Sequence, residues 1–339
     1  MHRIRMVVLW ILLIALVGGC GFGGSPESGR VISRGPAPLY DDTLTTVGFI
    51  QTGKESDWRD ANTKDYFRVF TEENGYRFIY VDGNSNPERQ VKALYDLVRQ
   101  QVDYIVLDPI VEAGWTEALR EARDAGIPVI ITDRRVDADS ALYTSWVGSD
   151  FEEEGRKAAR WLAAYLQDAG RTDEPINIVI LEGTPGSSAT LGRAAGLAEI
   201  IAGNPQWHVA ANAVANFTQG EGQTVMQQLI DQLDSFDVLI SHNDNMMFGA
   251  MKAMELNDMA FGVDGGVITI SFDALRQAFE EMQAGRLHAS VECNPLLADL
   301  THEIISRLEA GEPVEKVYYS EESVYTHENA AASLPGRAY

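Results

Sequence analysis

RFIYVDGNSNPERQVKALYDLVRQQVDYIVL, residues 77–107, reads as one complete strand–helix–strand unit. Arg77 to Val81 is a strand. Asn86-Pro87 then opens a helix: an Asn side chain can accept from a free amide of the first turn, and Pro suits the first helical position, which needs no amide donor. Val91, Leu94 and Val98 fall on one face of that helix. Tyr104 to Leu107 returns as a short apolar strand.

The same alternation extends both ways. Before it, Thr46 to Ile50 is a buried-strand run, followed by a segment with Trp58, Ala61 and Phe67 at roughly helical spacing. After it, Trp115 to Asp124 is a helix closed by Gly126, where a left-handed residue costs least, and Pro128 to Thr132 is a strand. The cycle restarts after Gly148. Strands at 176–181, 208–214, 238–241, 267–271 and 289–292 alternate with helical patterns, and a last strand is expected near 317–319. Strands separated by helices imply parallel sheets covered on both faces, and two successive sets imply two doubly wound α/β lobes. Ligands of such sheets bind at the carboxyl ends of the strands.

The first residues read as an address. Arg3 and Arg5 precede an unbroken apolar run from Val7 to Val17, shorter than the about 20 residues a membrane-spanning helix needs. Val17-Gly18-Gly19-Cys20 then looks like a lipobox. The expectation is a signal peptide over 1–19, a diacylglycerol on Cys20 and a Gly/Ser/Pro-rich tether over 20–42. Of the two cysteines, Cys293 is then left without a partner, so no intrachain disulfide is expected. The formal charge of −23 argues against nucleic acid as a partner.

The strand ends gather polar residues. Glu55, Trp58 and Arg59 follow the first strand, Asp108 the third, and Asp133-Arg134 the fourth. In the second half Arg193, Phe217, Asn243, Asp273 and Glu292 hold the corresponding places. Carboxylates accept, Arg and Asn donate, and each hydroxyl of a polyol does both, while the C–H face of a sugar ring suits an aromatic side chain. Asp150 and Asp244 read instead as helix-cap or turn residues, and His242 and His288 as strand-end or surface residues.

At this point the chain resembles the type I periplasmic binding proteins, the ribose- and galactose-binding family. The resemblance rests on GFIQTGKESDWR at 48–59, DPIVEAGW at 108–115, TDRRVD at 132–137, LEGTPGSSATLGRAAG at 181–196, ANFTQGEG at 215–222, SHNDNMMFGAMKAM at 241–254, ISFDA at 270–274 and SVECNP at 290–295. GKESDWR and IVEAGW favour the galactofuranose-like subgroup. The resemblance implies a lipid-anchored, extracytoplasmic binding component of a bacterial ABC sugar importer, with a permease and an ATPase as partners and a monosaccharide as ligand. No metal site is apparent in the sequence, no cofactor is expected, and the expected state is a monomer. It implies that Asp133 and Arg134 hold ring hydroxyls from one lobe and Arg193, Asn243 and Asp273 from the other. Phe217 would stack on the ring, Glu292 would sit at the hinge side of the cleft, and Glu55, Trp58 and Arg59 would close the first-lobe wall. It further implies a three-segment hinge with crossings near residues 149, 292 and 315. The lobes would then comprise 43–149 plus 293–315, and 150–292 plus 316–330.

Other functions fit less well. No P-loop, G-x-S-x-G elbow or zinc-spaced His/Cys cluster occurs. A glycosidase pair such as Asp133 and Asp273 needs one protonated carboxyl, whereas each carboxylate here has an Arg or Asn candidate partner expected to keep it ionised. A repressor would need a DNA-binding headpiece where the lipobox and tether stand. A sugar-sensing lipoprotein that presents its ligand to a membrane receptor or kinase remains the alternative.

Overall fold

The structure, a computed structural model, describes residues 43–339; the signal peptide, Cys20 and the tether expected from the sequence lie outside the described residues. The first lobe is built from β1 (Thr45–Gln51), α1 (Asp57–Val69), β2 (Tyr76–Asp82), α2 (Pro87–Gln100), β3 (Tyr104–Leu107), α3 (Thr116–Asp124), β4 (Val129–Thr132) and β5 (Ser145–Gly148). The second follows with α4 (Phe151–Asp168), β6 (Ile176–Glu182), α5 (Ser188–Ala202), β7 (Trp207–Val214), α6 (Gln219–Gln232), β8 (Val238–Ser241), α7 (Asp244–Leu256), β9 (Ile268–Asp273), α8 (Arg276–Gln283) and β10 (Ala289–Glu292). The chain ends with α9 (Ala298–Glu309), β11 (Val317–Tyr319), β12 (Val324–Thr326) and α10 (Ala330–Ser333).

Each lobe holds a 6-stranded sheet, in the orders β11-β5-β4-β3-β1-β2 and β12-β10-β9-β8-β6-β7. Pairing is parallel except between β10 and β12. The period of two in a strand splits the first sheet cleanly. Ile50, Ile105, Leu107 and Ile131 pack under α2 and α3, while Val47, Phe49, Val106 and Ile130 face α1 and α9. The second sheet divides likewise. Ile178, Ile180, Ile240 and Ile270 meet α4 and α5, and Val179, Leu181 and Leu239 meet α6 and α7.

The helix start at Asn86-Pro87 forms as its residues predict, with Asn86 Oδ1 accepting from Arg89 N at 2.9 Å. The last crossing differs from expectation. β11 hydrogen-bonds to β5 in the first sheet, so the chain passes to the second lobe only between Tyr319 and Val324, not near 315. The edge of β5 needs a parallel partner, and Val317 to Tyr319 is the segment that reaches it. Ser145 to Gly148, to which the alternation assigned no element, is itself a strand, and β12 is a further strand that the alternation did not foretell.

Candidate functional site

Arg59 organises the first-lobe wall. It sits in the first turn of α1, whose cap is Ser56: Oγ accepts from Arg59 N at 3.2 Å. Its guanidinium donates to Asp133 Oδ2 at 2.8 Å, to Glu55 Oε1 at 3.2 Å and to Asp108. Arg134 donates to Glu55 as well. All these side chains are buried, so the ionic contacts are scarcely weakened by solvent. Burial alone would raise the Glu55 carboxyl, but Arg134 and Arg59 outweigh it and hold it below its usual range. For Asp108 burial wins and pushes the carboxyl well up, against the pull of Arg59.

Arg193 plays the matching part in the second lobe. Helix α5 lies hard against α4: a Cβ on Gly155 would stand 2.3 Å from the Arg193 carbonyl oxygen, so a hydrogen there is what lets the backbones approach. That approach brings Arg193 Nε to Glu154 Oε2 at 2.6 Å. Its other nitrogens donate to the His242 carbonyl and reach Asp273 Oδ1 at 3.5 Å. Burial pushes the Asp273 carboxyl well above its ordinary value and Glu154 up to about 8, with Arg193 opposing both. Asn243 caps α7, accepting from Met246 N at 2.9 Å and donating to the Phe217 carbonyl at 3.1 Å.

These two clusters face one another across a single cavity lined by Glu55, Trp58, Arg59, Asp133, Arg134, Arg193, Phe217, Asn243 and Asp273. Every site residue expected from the sequence is there except Glu292. Its carboxylate is turned to the far side and accepts from Ser323 N at 3.0 Å, Arg337 Nη1 at 2.6 Å and Tyr339 Oη at 2.9 Å. Arg337 claims the charge that a ligand would otherwise meet. Ser56, Phe151, Ala189 and Cys293 also line the cavity. Ala189 and Cys293 carry little polyol-binding signal of their own, and Ser56 and Phe151 stand at the helix starts of α1 and α4, where a cap and a core residue are the ordinary readings.

Trp58 is both wall and core: it is 4% exposed, and its Nε1 donates to the Cys293 carbonyl at 2.7 Å. The guanidinium of Arg134 lies 5.0 Å from the Phe217 ring centre, over the face expected to stack. Asp150 caps α4 as expected. Asp244 does not cap: it is buried and accepts from Ser271, from Ser290 Oγ at 2.9 Å and from Leu275 N at 2.7 Å, because it stands one residue inside α7. His242 and His288 are strand-end residues but not surface ones, and burial lowers them to about 3 and about 4.

The space left between the walls is about 20 Å³, of the order of one water. The walls meet because the lobes touch. Asp57 N donates to Asn245 Oδ1 at 3.1 Å and Asn245 Nδ2 returns to Asp57 Oδ2 at 2.8 Å. Glu112 N reaches the Gly186 carbonyl at 2.9 Å, and Arg135 N reaches Ser188 Oγ at 2.7 Å. A ring-sized ligand therefore enters only when the lobes part. Near the hinge, ligand-type atoms of Glu154, Cys293 and Glu322 lie within 4.8 Å of one another. Arg193 already pairs with Glu154, and Ser320 Oγ and Asn294 N already donate to Glu322, so the cluster has cations and donors of its own.

Buried acids, guanidiniums and an aromatic ring, brought together by two doubly wound lobes, define a two-lobed solute-binding protein. The family model of the periplasmic binding protein domain matches residues 47–308, and the chain belongs to that family, one of sugar-binding transport components rather than enzymes. It is 32% identical over 294 residues to the galactofuranose-binding protein YtfQ of Escherichia coli K12, covering 85% of this chain and 90% of that protein. A Mycobacterium smegmatis protein solved with β-D-fucofuranose superposes with a TM-score of 0.82 at 36% identity, covering 86% of this chain and 94% of the other. The arabinose-binding component from Shewanella sp. ANA-3, bound to α- and β-L-arabinofuranose, gives 0.81 at 32%, covering 87% and 96%. Among the described residues no helix is long and apolar enough to cross a membrane.

Proposed function

We propose that this chain is the extracytoplasmic sugar-binding lipoprotein of an ABC importer, and that it closes its two lobes on a monosaccharide in a galactofuranose-like furanose form. One observation carries the reading: the polar residues expected from separate strand ends converge, from both lobes, on one buried cavity. Arg59 Nε and Arg134 Nε are buried without a hydrogen-bond partner among the described residues. Such donors are costly to leave unmet, and sugar hydroxyls would satisfy them. Three similar proteins carry a furanose in their names or complexes, which supports the ring form.

In this reading Asp133, Arg134, Arg193, Asn243 and Asp273 hold hydroxyls, Phe217 packs on the ring, and Glu55, Trp58 and Arg59 fix the first-lobe wall. Cys20 carries the lipid, a permease with its ATPase receives the sugar, and the protein works as a monomer without a cofactor. A thermal-shift screen of the protein against D-galactose, D-fucose, L-arabinose, D-fructose and D-ribose tests the ligand class. A sugar at 100 times its Kd adds about 2.7 kcal/mol of stability. No shift with any of the five would count against a monosaccharide ligand of this kind.

A further inference from the structure

Two consecutive non-glycine residues at the end of β9, Asp273 and Ala274, have φ of 102° and 52°. L-residues avoid this region, so such a backbone persists only where its surroundings hold it. Three side chains do so. Ser290 Oγ accepts from Ala274 N at 3.0 Å, and Asp244 Oδ2 accepts from Leu275 N at 2.7 Å. The third is Arg337, far along the chain: Nε donates to the Ala274 carbonyl at 2.6 Å and Nη2 reaches the Asp273 carbonyl at 3.5 Å.

Arg337 is itself fixed. Nη1 donates to Glu292 Oε1 at 2.6 Å, and Tyr339 Oη donates to the same oxygen at 2.9 Å. The guanidinium lies 4.1 Å from the Tyr339 ring centre and 5.1 Å from those of Phe279 and Tyr325. A planar fork with several donors can bridge two carbonyls and a carboxylate at once while stacking on aromatic faces, which an ammonium cannot do. Neither Arg337 nor Glu292 lines the cavity.

We propose that Arg337 is a positioning residue of the sugar site. It holds the carbonyls of Asp273 and Ala274 and so sets the direction in which the Asp273 carboxylate enters the cavity. Glu292 is its anchor, which explains why a carboxylate at a strand end faces away from the ligand. The sugar arm of this inference rests on the function proposed above.

The test is a double-mutant cycle read by calorimetric titration with D-galactose, whose solutions contain both ring forms. Arg337→Lys keeps a cation beside Glu292 but cannot span both carbonyls. It is expected to weaken binding by about tenfold. In the Asp273→Asn background the same change is expected to add less than about twofold, because Arg337 acts through Asp273. Unchanged affinity in the single variant, or fully additive losses, would overturn the proposal. If the wild type binds no sugar, the functional reading fails and amide exchange of the sugar-free protein decides the matter. Faster exchange at Ala274 and Leu275 in Arg337→Lys supports the positioning role, and unchanged exchange refutes it.

Discussion

A Cβ placed on Gly183 would stand 1.9 Å from Cζ of Phe217. The tip of the ring thus occupies the space that any other residue at 183 would need. Phe217 holds a left-handed backbone with φ 62°, and its carbonyl accepts from Asn243. The ring is therefore aimed from both ends. Gly183→Ala is expected to displace it and weaken sugar binding by about tenfold, much as Phe217→Ala does. Phe217→Tyr is also expected to bind worse, since its hydroxyl would project from the carbon that abuts Gly183. Titration of the three variants, with melting curves to separate folding from binding, checks this. Full affinity in Gly183→Ala would show that the ring is not placed by that contact.

If Cys20 is lipidated as proposed, Cys20→Ser is expected to release the protein from the membrane fraction, because one thioether would carry the whole attachment. Fractionation and mass spectrometry of the mature N-terminus measure it. An unmodified Cys20 in membrane-bound wild type would contradict the anchor.

Closure is expected to depend on the rim pair Asp57 and Asn245, which join the lobes by two hydrogen bonds. Solution scattering should show a smaller radius of gyration with saturating sugar, and Asn245→Ala should enlarge the sugar-free protein or weaken its binding. Closure is driven only by the contacts that exist in the closed form. Identical curves with and without sugar would argue against a hinge.

Glu154 gives a pH signature. Burial raises it from 4.5 to about 8 in the fold, against the pull of Arg193. Between those values the folded state binds more protons than the unfolded chain, so stability from this group is complete below pH 4.5 and lost as pH rises towards 8. Glu154→Gln, which cannot ionise, is expected to flatten that loss. Denaturant melts of both proteins from pH 5 to 8 compare the slopes. Parallel slopes would mean that Glu154 keeps an ordinary titration in the fold.

Much of this was readable in the chain because the signals are local. Asn86-Pro87 names a helix start, the apolar runs name strands, and Asp133-Arg134 or Asp273 need only their place after a strand to be set at the cleft. What escaped depends on distant partners. Glu292 looks like a cleft residue until Arg337 is seen to hold it, and Asp244 looks like a cap until Ser290 and Leu275 are seen to bond to it. β12 is short and antiparallel, and it exists because β10 has a free edge. The carboxylates were expected to stay ionised through their Arg neighbours, yet burial outweighs Arg59 at Asp108 and Arg193 at Asp273. Desolvation depends on how completely a side chain is enclosed, which no pair of sequence neighbours reveals.

The most direct measurement is calorimetric titration of wild type and Asp273→Asn with whichever of D-galactose, D-fucose and L-arabinose gives the largest thermal shift. The expected result is saturable one-to-one binding by wild type and an affinity lower by about 10- to 150-fold in the variant, because Asn sets an amide donor where Asp273 offers an acceptor oxygen beside Arg193. Absence of heat with all three sugars, or a variant that binds within about twofold of wild type, would contradict a sugar held by Asp273 between the lobes.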